Sequence, residues 1–275
     1  MPIRVTGIKL KPARDADEAA YRAAFKRLGL GQVKPAGRRI VKKSVDARDK
    51  GDIRLVYTVE LALEGDEAAL LARLPGGAGQ WVPAPQKTGW SKSPASFRPV
   101  VAGLGPCGLF AALALAKAGL FPLVLERGEP VDARRAAARR FLETGELDPE
   151  SNLQFGEGGA GAFSDGKLTT GINHPLSLRV LEILVEHGAP EEILYLSRPH
   201  IGTDRLPQVV ASIRKEIESL GGQVLFGARL TEAVHDHGRL IGVQYTRGGA
   251  IREQACDALV LAPGHSARDT IVGFY

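Results

Sequence analysis

"VVAGLGPCGLFAALALAKAGLFPLVLERG", Val100 to Gly128, reads as strand, glycine turn, helix and strand. "PVVAG" is a short apolar run. "PCGLFAALALAKAG" is a helix that Pro106 can open, because a proline in the first turn gives up an N–H that has no helical acceptor. Between them, Gly103-Leu104-Gly105-Pro106-Cys107-Gly108 spells GxGxxG. In this pattern Gly103 permits the tight turn, Gly105 lets the backbone approach a pyrophosphate, and Gly108 lets helix pack on strand. Free N–H groups and the helix dipole favour an anion at the helix start. "PLVLE" supplies the next strand and ends on Glu126, 18 residues after Gly108. A carboxylate there can accept hydrogen bonds from both ribose hydroxyls, and it repels a 2′-phosphate. Strand before, helix after and acid at the tip of the next strand together predict a dinucleotide site. Pro106 and Cys107 line it, with Cys107 as a small packing residue rather than a redox group. Arg127, and Arg134 within the otherwise solvated run "RRAAARR", are placed to reach the pyrophosphate or adenine.

Around this motif the chain reads as two domains. Residues 1–100 carry 19 Lys and Arg against 10 Asp and Glu, a net +9, whereas residues 101–275 carry 17 against 21, a net −4. "IRVTGIKL" reads as a strand and "DADEAAYRAAFKRLGLG" as a helix, with Asp15 or Asp17 as cap and Ala20, Ala24 and Leu28 on its buried face. Two strands follow around a turn at Asp49–Asp52, then a short helix at Glu67–Leu74. This order predicts an α+β domain of the ferredoxin-like type over residues 1–75. A Pro/Gly-rich linker over 76–97 and a Rossmann-type domain over 98–275 complete the expected layout. "KGDIRLVY" loosely echoes an RNA-binding signature, but Asp52 and Arg54 stand where base-stacking aromatics belong, so no nucleic-acid partner is expected.

Beyond Gly128 the sequence predicts helices near Asp132–Phe141, 176–187 and 204–220, the last capped by Thr203 or Asp204. A strand "QVLFG" comes next, then a β-meander over Leu230–Leu261 turning at His237-Gly238 and Gly248-Gly249. The apolar "ALVLA" reads as a buried strand returning to the main sheet. A compact NAD domain would alternate strand and helix regularly, so this interrupted layout favours FAD. "NLQFGEGGAGAFSDGKLTTG", Asn152 to Gly171, offers unobstructed backbone N–H groups at Gly158, Gly159, Gly161 and Gly166. Ser164, Asp165 and Lys167 add polar groups suited to a flavin's ribityl chain and ring. Leu230, Ala262 and Gly264 complete the expected cofactor contacts, and Ser266 contacts cofactor or caps a helix. Lys167 and His200 are the candidate catalytic groups, to stabilise anionic reduced flavin or to shuttle a proton.

The composition narrows the classes. Two cysteines and no CxxC argue against a disulfide framework or a cysteine-built zinc site. His235-Asp236-His237 reads as a polar turn, and no metal is expected. Pro99–Leu125 is apolar enough to suggest a membrane span, but Gly103, Gly105, Pro106, Gly108, Gly119 and Pro122 interrupt it. A soluble, cytoplasmic protein is expected, with an unspecified small-molecule substrate or electron acceptor.

On "VVAGLGPCGLFAALALAKAG", "LDPESNLQFGEGGAGAFSDGKL", "RPHIGTDRL" and "LVLAPGHSARDT", the chain resembles a family of FAD-dependent dehydrogenases with an N-terminal ferredoxin-like domain. Their FAD domain is related to that of glutathione reductase. The resemblance implies an oxidoreductase holding FAD on Gly103, Gly105, Gly108 and Glu126, with residues 156–167 close to the flavin and NAD(P)H as a candidate electron donor. Family members continue past "GHSARDT" into a substrate-side domain and a closing FAD strand, so the resemblance also implies a C-terminally truncated chain. The alternatives are an NAD-binding dehydrogenase and a non-catalytic, FAD-stabilised binding protein.

Overall fold

The computed structural model describes residues 2–30, 35–63, 77–83, 90–93, 97–164, 166–172 and 174–274. They form a mixed α/β structure in two compact units.

The first unit takes residues 1–88 together with 168–182 and 190–199. Strands β1 (Ile3–Leu10), β2 (Pro35–Asp46), β3 (Arg54–Leu63) and β4 (Gln80–Trp81) form an antiparallel sheet in the order β2-β3-β1-β4. Helix α1 (Ala16–Leu28) lies between β1 and β2 in sequence. Its Ala16, Ala20, Ala24 and Leu28 repeat every four residues and are buried with Ile3, Val5, Tyr57, Val59 and Leu61. The alanines let the helix sit close to the strands. Gly29, left-handed at φ 66°, ends α1. Asp15 occupies the N-cap position but its side chain makes no capping hydrogen bond, and Asp17 lies in the first turn. Asp15 pairs instead with Arg22, and Asp17 accepts hydrogen bonds at 2.7 Å from both Lys43 Nζ and the Tyr57 hydroxyl. The helix expected at Glu67–Leu74 lies outside the described residues. Residues 195–197 run along β2, where Lys43 N–H donates to the Tyr195 carbonyl and Ser197 N–H to that of Lys43.

The second unit takes residues 89–167, 183–189 and 200–275. Strands β5 (Val100–Ala102), β6 (Leu123–Glu126), β7 (Gln223–Phe226) and β11 (Leu259–Leu261) form a parallel sheet in the order β11-β5-β6-β7. Helix α2 (Pro106–Lys117) links β5 to β6 and buries Leu109, Ala112, Leu113 and Ala116. Helices α3 (Val131–Thr144), α4 (Pro175–Glu186) and α5 (Leu206–Ser219) follow, with α4 divided between the units at Glu182. Arg205 stands at the N-cap of α5 with no side-chain cap, so neither Thr203 nor Asp204 plays that role.

Strands β8 (Ala228–Asp236), β9 (Arg239–Arg247) and β10 (Ala250–Ala255) form the antiparallel meander. Its turns fall at His237-Gly238 and Gly248-Gly249, where all four residues have positive φ, as two-residue hairpin loops require. Ala228, Leu230, Val243 and Tyr245 of the meander pack with Val100, Ala102, Leu123 and Leu125 of the parallel sheet. A short helix α6 (Arg268–Val272) follows β11. Among the described residues no helix is long and apolar enough to cross a membrane, and no group of three His, Cys, Asp or Glu could hold a metal ion.

Candidate functional site

A crevice opens in the second unit at the carboxyl ends of β5, β6 and β11, where open parallel sheets bind ligands. Its volume is about 240 Å³. Gly103, Gly105, Pro106 and Cys107 line one side, and Glu126 and Arg127 the tip of β6. Gly159, Leu230, Ala262 and Gly264 also line it.

The three glycines of the turn have different reasons to be glycine. Gly103 has φ +97°, and a Cβ there would stand 2.2 Å from the Ala262 carbonyl oxygen. A Cβ on Gly108 would stand 1.9 Å from the Gly103 carbonyl oxygen. Both are dictated by close backbone packing. Gly105 is not: its backbone is extended at φ −69° and ψ −177°, and a Cβ would have the Gly159 Cα as nearest neighbour, at 4.0 Å. The fold tolerates a side chain at 105, so the bare Cα leaves room on the crevice wall. Helix α2 starts beside it with Pro106 in its first turn and no side-chain cap.

Glu126 is buried at 3% exposure. Its Oε1 accepts from Gly128 N–H at 2.8 Å and Gly156 N–H at 3.0 Å, and its Oε2 accepts from Leu104 N–H at 2.6 Å. A carboxylate offers about four acceptor positions. Three are taken by backbone, which leaves one on Oε2 for a hydroxyl rather than the pair expected from the sequence. The same bonds tie the glycine turn to the 152–159 segment, so Glu126 is both a wall of the crevice and its internal brace.

Arg134 corrects the sequence reading. It is fully buried and does not line the crevice. Its Nε donates to the Asn152 carbonyl at 3.2 Å, Nη1 to the carbonyls of Glu157 and Gly159, and Nη2 to those of Asn152 and Leu153. All five N–H groups have acceptors, so none is left for a phosphate. Burial lowers its pKa to about 10, against the charges of Glu126 and Glu157 that hold it up. The guanidinium also lies over the Phe163 ring, 4.7 Å from its centroid. Arg134 is thus the staple of the glycine-rich segment. Glu157, also fully buried, completes it by accepting from Val131 N–H at 2.8 Å, at the start of α3, and from Arg214 Nε at 2.7 Å.

Arg127 lines the crevice, but its charge is already matched. It lies over the Phe155 ring, donates to Glu150 at 2.9 Å and forks onto both oxygens of Asp269 at 2.9 Å. Arg229 shares both acids, each at 3.2 Å.

Residues 156–167 approach the crevice only in part: Gly156, Gly159 and Ala160 line it, while Gly158, Gly161, Ser164, Gly166 and Lys167 do not. Gly158 instead packs its bare Cα toward Ala162 and Val210, and the Ser164 hydroxyl donates to the Gly161 carbonyl. Asp165 lies outside the described residues. Lys167 and His200 are brought together as partners in an antiparallel bridge, but both are exposed and neither lines the crevice. Ser266 lines it and donates to Gln154 Oε1 at 3.2 Å, and Ala267, without a side-chain cap, occupies the N-cap of α6. Gln154, Phe155 and Arg229 are crevice residues that sequence reasoning missed. Their approach depends on the Arg134 staple and the meander, which no local pattern announces.

A domain family of unknown function, DUF8436, matches residues 2–62. A protein of Clostridium beijerinckii, described as uncharacterised, is 42% identical over all of this chain, which covers 51% of it. The chain spans about half the length of that curated relative. Among solved structures, 3-ketosteroid-delta4-(5alpha)-dehydrogenase from Rhodococcus jostii is 19% identical, with a TM-score of 0.40, over 65% of this chain and 47% of the other. THI4 of Thermovibrio ammonificans is 18% identical, with a TM-score of 0.42, over 65% of this chain and 61% of the other.

Proposed function

We propose that the second unit holds the ADP part of FAD and that the protein is a flavin-dependent oxidoreductase. The observation that carries this reading is Gly105, a glycine the fold does not demand, beside an uncapped helix start and a buried carboxylate with one acceptor position to spare. The residues present fit the group. Gly103, Gly105 and the start of α2 would hold the pyrophosphate, because backbone can approach there without a side chain and the helix dipole favours an anion. Glu126 Oε2 would take a ribose hydroxyl. The crevice is smaller than the about 300–1,000 Å³ typical of small-molecule sites, which suits it to part of a dinucleotide. A bound flavin would supply reversible two-electron chemistry, and the chain's own residues bind and orient it. FAD is favoured over NAD because a meander is inserted between β7 and β11, in place of the regular strand–helix alternation of a compact NAD domain. The first unit, with its β2-β3-β1-β4 order, fits the ferredoxin-like expectation.

The test is to incubate the purified chain with FAD, remove free ligand by gel filtration and record the visible spectrum, with NAD titrated in parallel. Retained flavin absorption is expected. Tight NAD binding without FAD uptake would overturn the flavin reading and favour an NAD enzyme. Bound flavin that no donor reduces would point instead to a binding protein.

A further inference from the structure

The first unit contains a second cavity, of about 430 Å³, lined entirely by its own residues. Strand alternation sends Ile3, Val5, Tyr57, Val59 and Leu61 into the core with α1, and leaves Arg4, Thr58 and Glu60 on the opposite face. That face is the cavity floor, where Arg4, Thr6, Lys42 and Thr58 are exposed to the space. The other wall is built from Leu181, Ile193, Leu194, Leu196 and Pro199, with Tyr195 and Ser197 as its polar members.

The charge of the floor is one-sided. Among the described residues, none that lines it is acidic. Glu60, at 2% exposure, is held from both sides, by Arg4 at 2.5 Å and by Arg39 at 2.6 Å. Arg4 donates to it through Nε and Nη2, and Nη1 is free among the described residues. Lys42, exposed on β2, has no acidic partner among the described residues. Arg4 and Arg39 thus share the Glu60 carboxylate, and Lys42 stands opposite Thr58 on the same face.

We propose that this cavity binds a small organic anion with an apolar body, such as a carboxylate or sulfonate on a hydrocarbon frame. Lys42 and Arg4 take the anionic group, the threonine hydroxyls add hydrogen bonds, and the leucine- and isoleucine-lined wall covers the body. Charge-assisted hydrogen bonds supply orientation, and apolar contact supplies most of the buried area. The site is separate from the dinucleotide crevice and stands whether or not that crevice takes FAD.

The experiment is a fluorescence titration of the full chain with anilinonaphthalene sulfonate, with and without excess ADP. Saturable one-to-one binding that ADP does not displace is expected. Decanoate should compete and the neutral decanol should not. Lys42→Glu should weaken the probe by about tenfold or more, since it replaces an attraction with a repulsion, whereas Lys42→Arg should preserve binding. Lys42 is exposed, so the fold should survive, and circular dichroism checks this. Thr6→Trp, which fills the floor from a second exposed position, should also abolish the signal. Equal binding by the parent and Lys42→Glu, or displacement by decanol as effective as by decanoate, would overturn the proposal.

Discussion

Replacing Gly105 by alanine separates a ligand-driven glycine from a fold-driven one. The new Cβ would stand 4.0 Å from its nearest neighbour, an ordinary van der Waals contact, on a backbone that alanine adopts readily. Stability should therefore hold, or rise by about 0.4–1 kcal/mol as the unfolded chain loses freedom. The same methyl projects into the space assigned to the pyrophosphate. Overpacking a close contact costs about 1–3 kcal/mol, so affinity for ADP or FAD should fall roughly five- to 150-fold. Gly108→Ala is the control. Its Cβ meets the Gly103 carbonyl oxygen at 1.9 Å, and α2 must move off β5 to relieve the clash. That variant should lose about 1–3 kcal/mol of stability, whatever its affinity. Thermal unfolding and equilibrium ligand titration read the two quantities separately. If folded Gly105→Ala bound ADP and FAD as tightly as the parent, the assignment of the phosphate site would be wrong. If it unfolded as early as Gly108→Ala, the distinction between the two glycines would fail.

Arg134→Met should destabilise the second unit by about 3–5 kcal/mol, because it strands four carbonyls and removes the charge facing Glu126 and Glu157; denaturant unfolding checks this. A variant that stayed as stable as the parent but bound ADP more weakly would restore Arg134 to a direct ligand role. Glu126→Gln places an amide among three backbone N–H donors, so about 1–3 kcal/mol of stability should be lost along with dinucleotide affinity, as melting and titration would report. For Asp269, the hydrogen bonds from Arg127 hold the carboxyl below its ordinary 3.8. A depressed folded-state pKa stabilises at pH above that value and is lost as pH falls through the lower, folded one. Asp269→Asn should therefore flatten the acid side of the stability–pH curve below about pH 4, and parallel acid titrations of the two proteins would show it.

Much of this architecture was legible locally. The strand–turn–helix–strand around GxGxxG, the alanine stripe of α1 and both meander turns follow from residue type at fixed short spacing, because helix period, strand alternation and positive φ are properties of neighbouring residues. Gly103 and Gly108 could be named for the same reason. Tertiary structure decided what depends on segments far apart in the chain. Arg134, drawn from a run that reads as a solvated face, is buried because carbonyls of residues 152–159 wrap its guanidinium. Glu126 has most of its acceptor positions taken by backbone from 104, 128 and 156. Asp15, Asp17, Thr203 and Asp204 read as helix caps; Asp15 does take the N-cap position, yet no side chain among them makes a capping hydrogen bond, because a capping side chain chooses among all partners within reach. The antiparallel sheet's polar face became a cavity floor only because Leu181 and residues 193–199 belong to the first unit. A sequence specifies which groups need partners; which partner each one takes is settled by the packing that brings distant backbone within hydrogen-bond range.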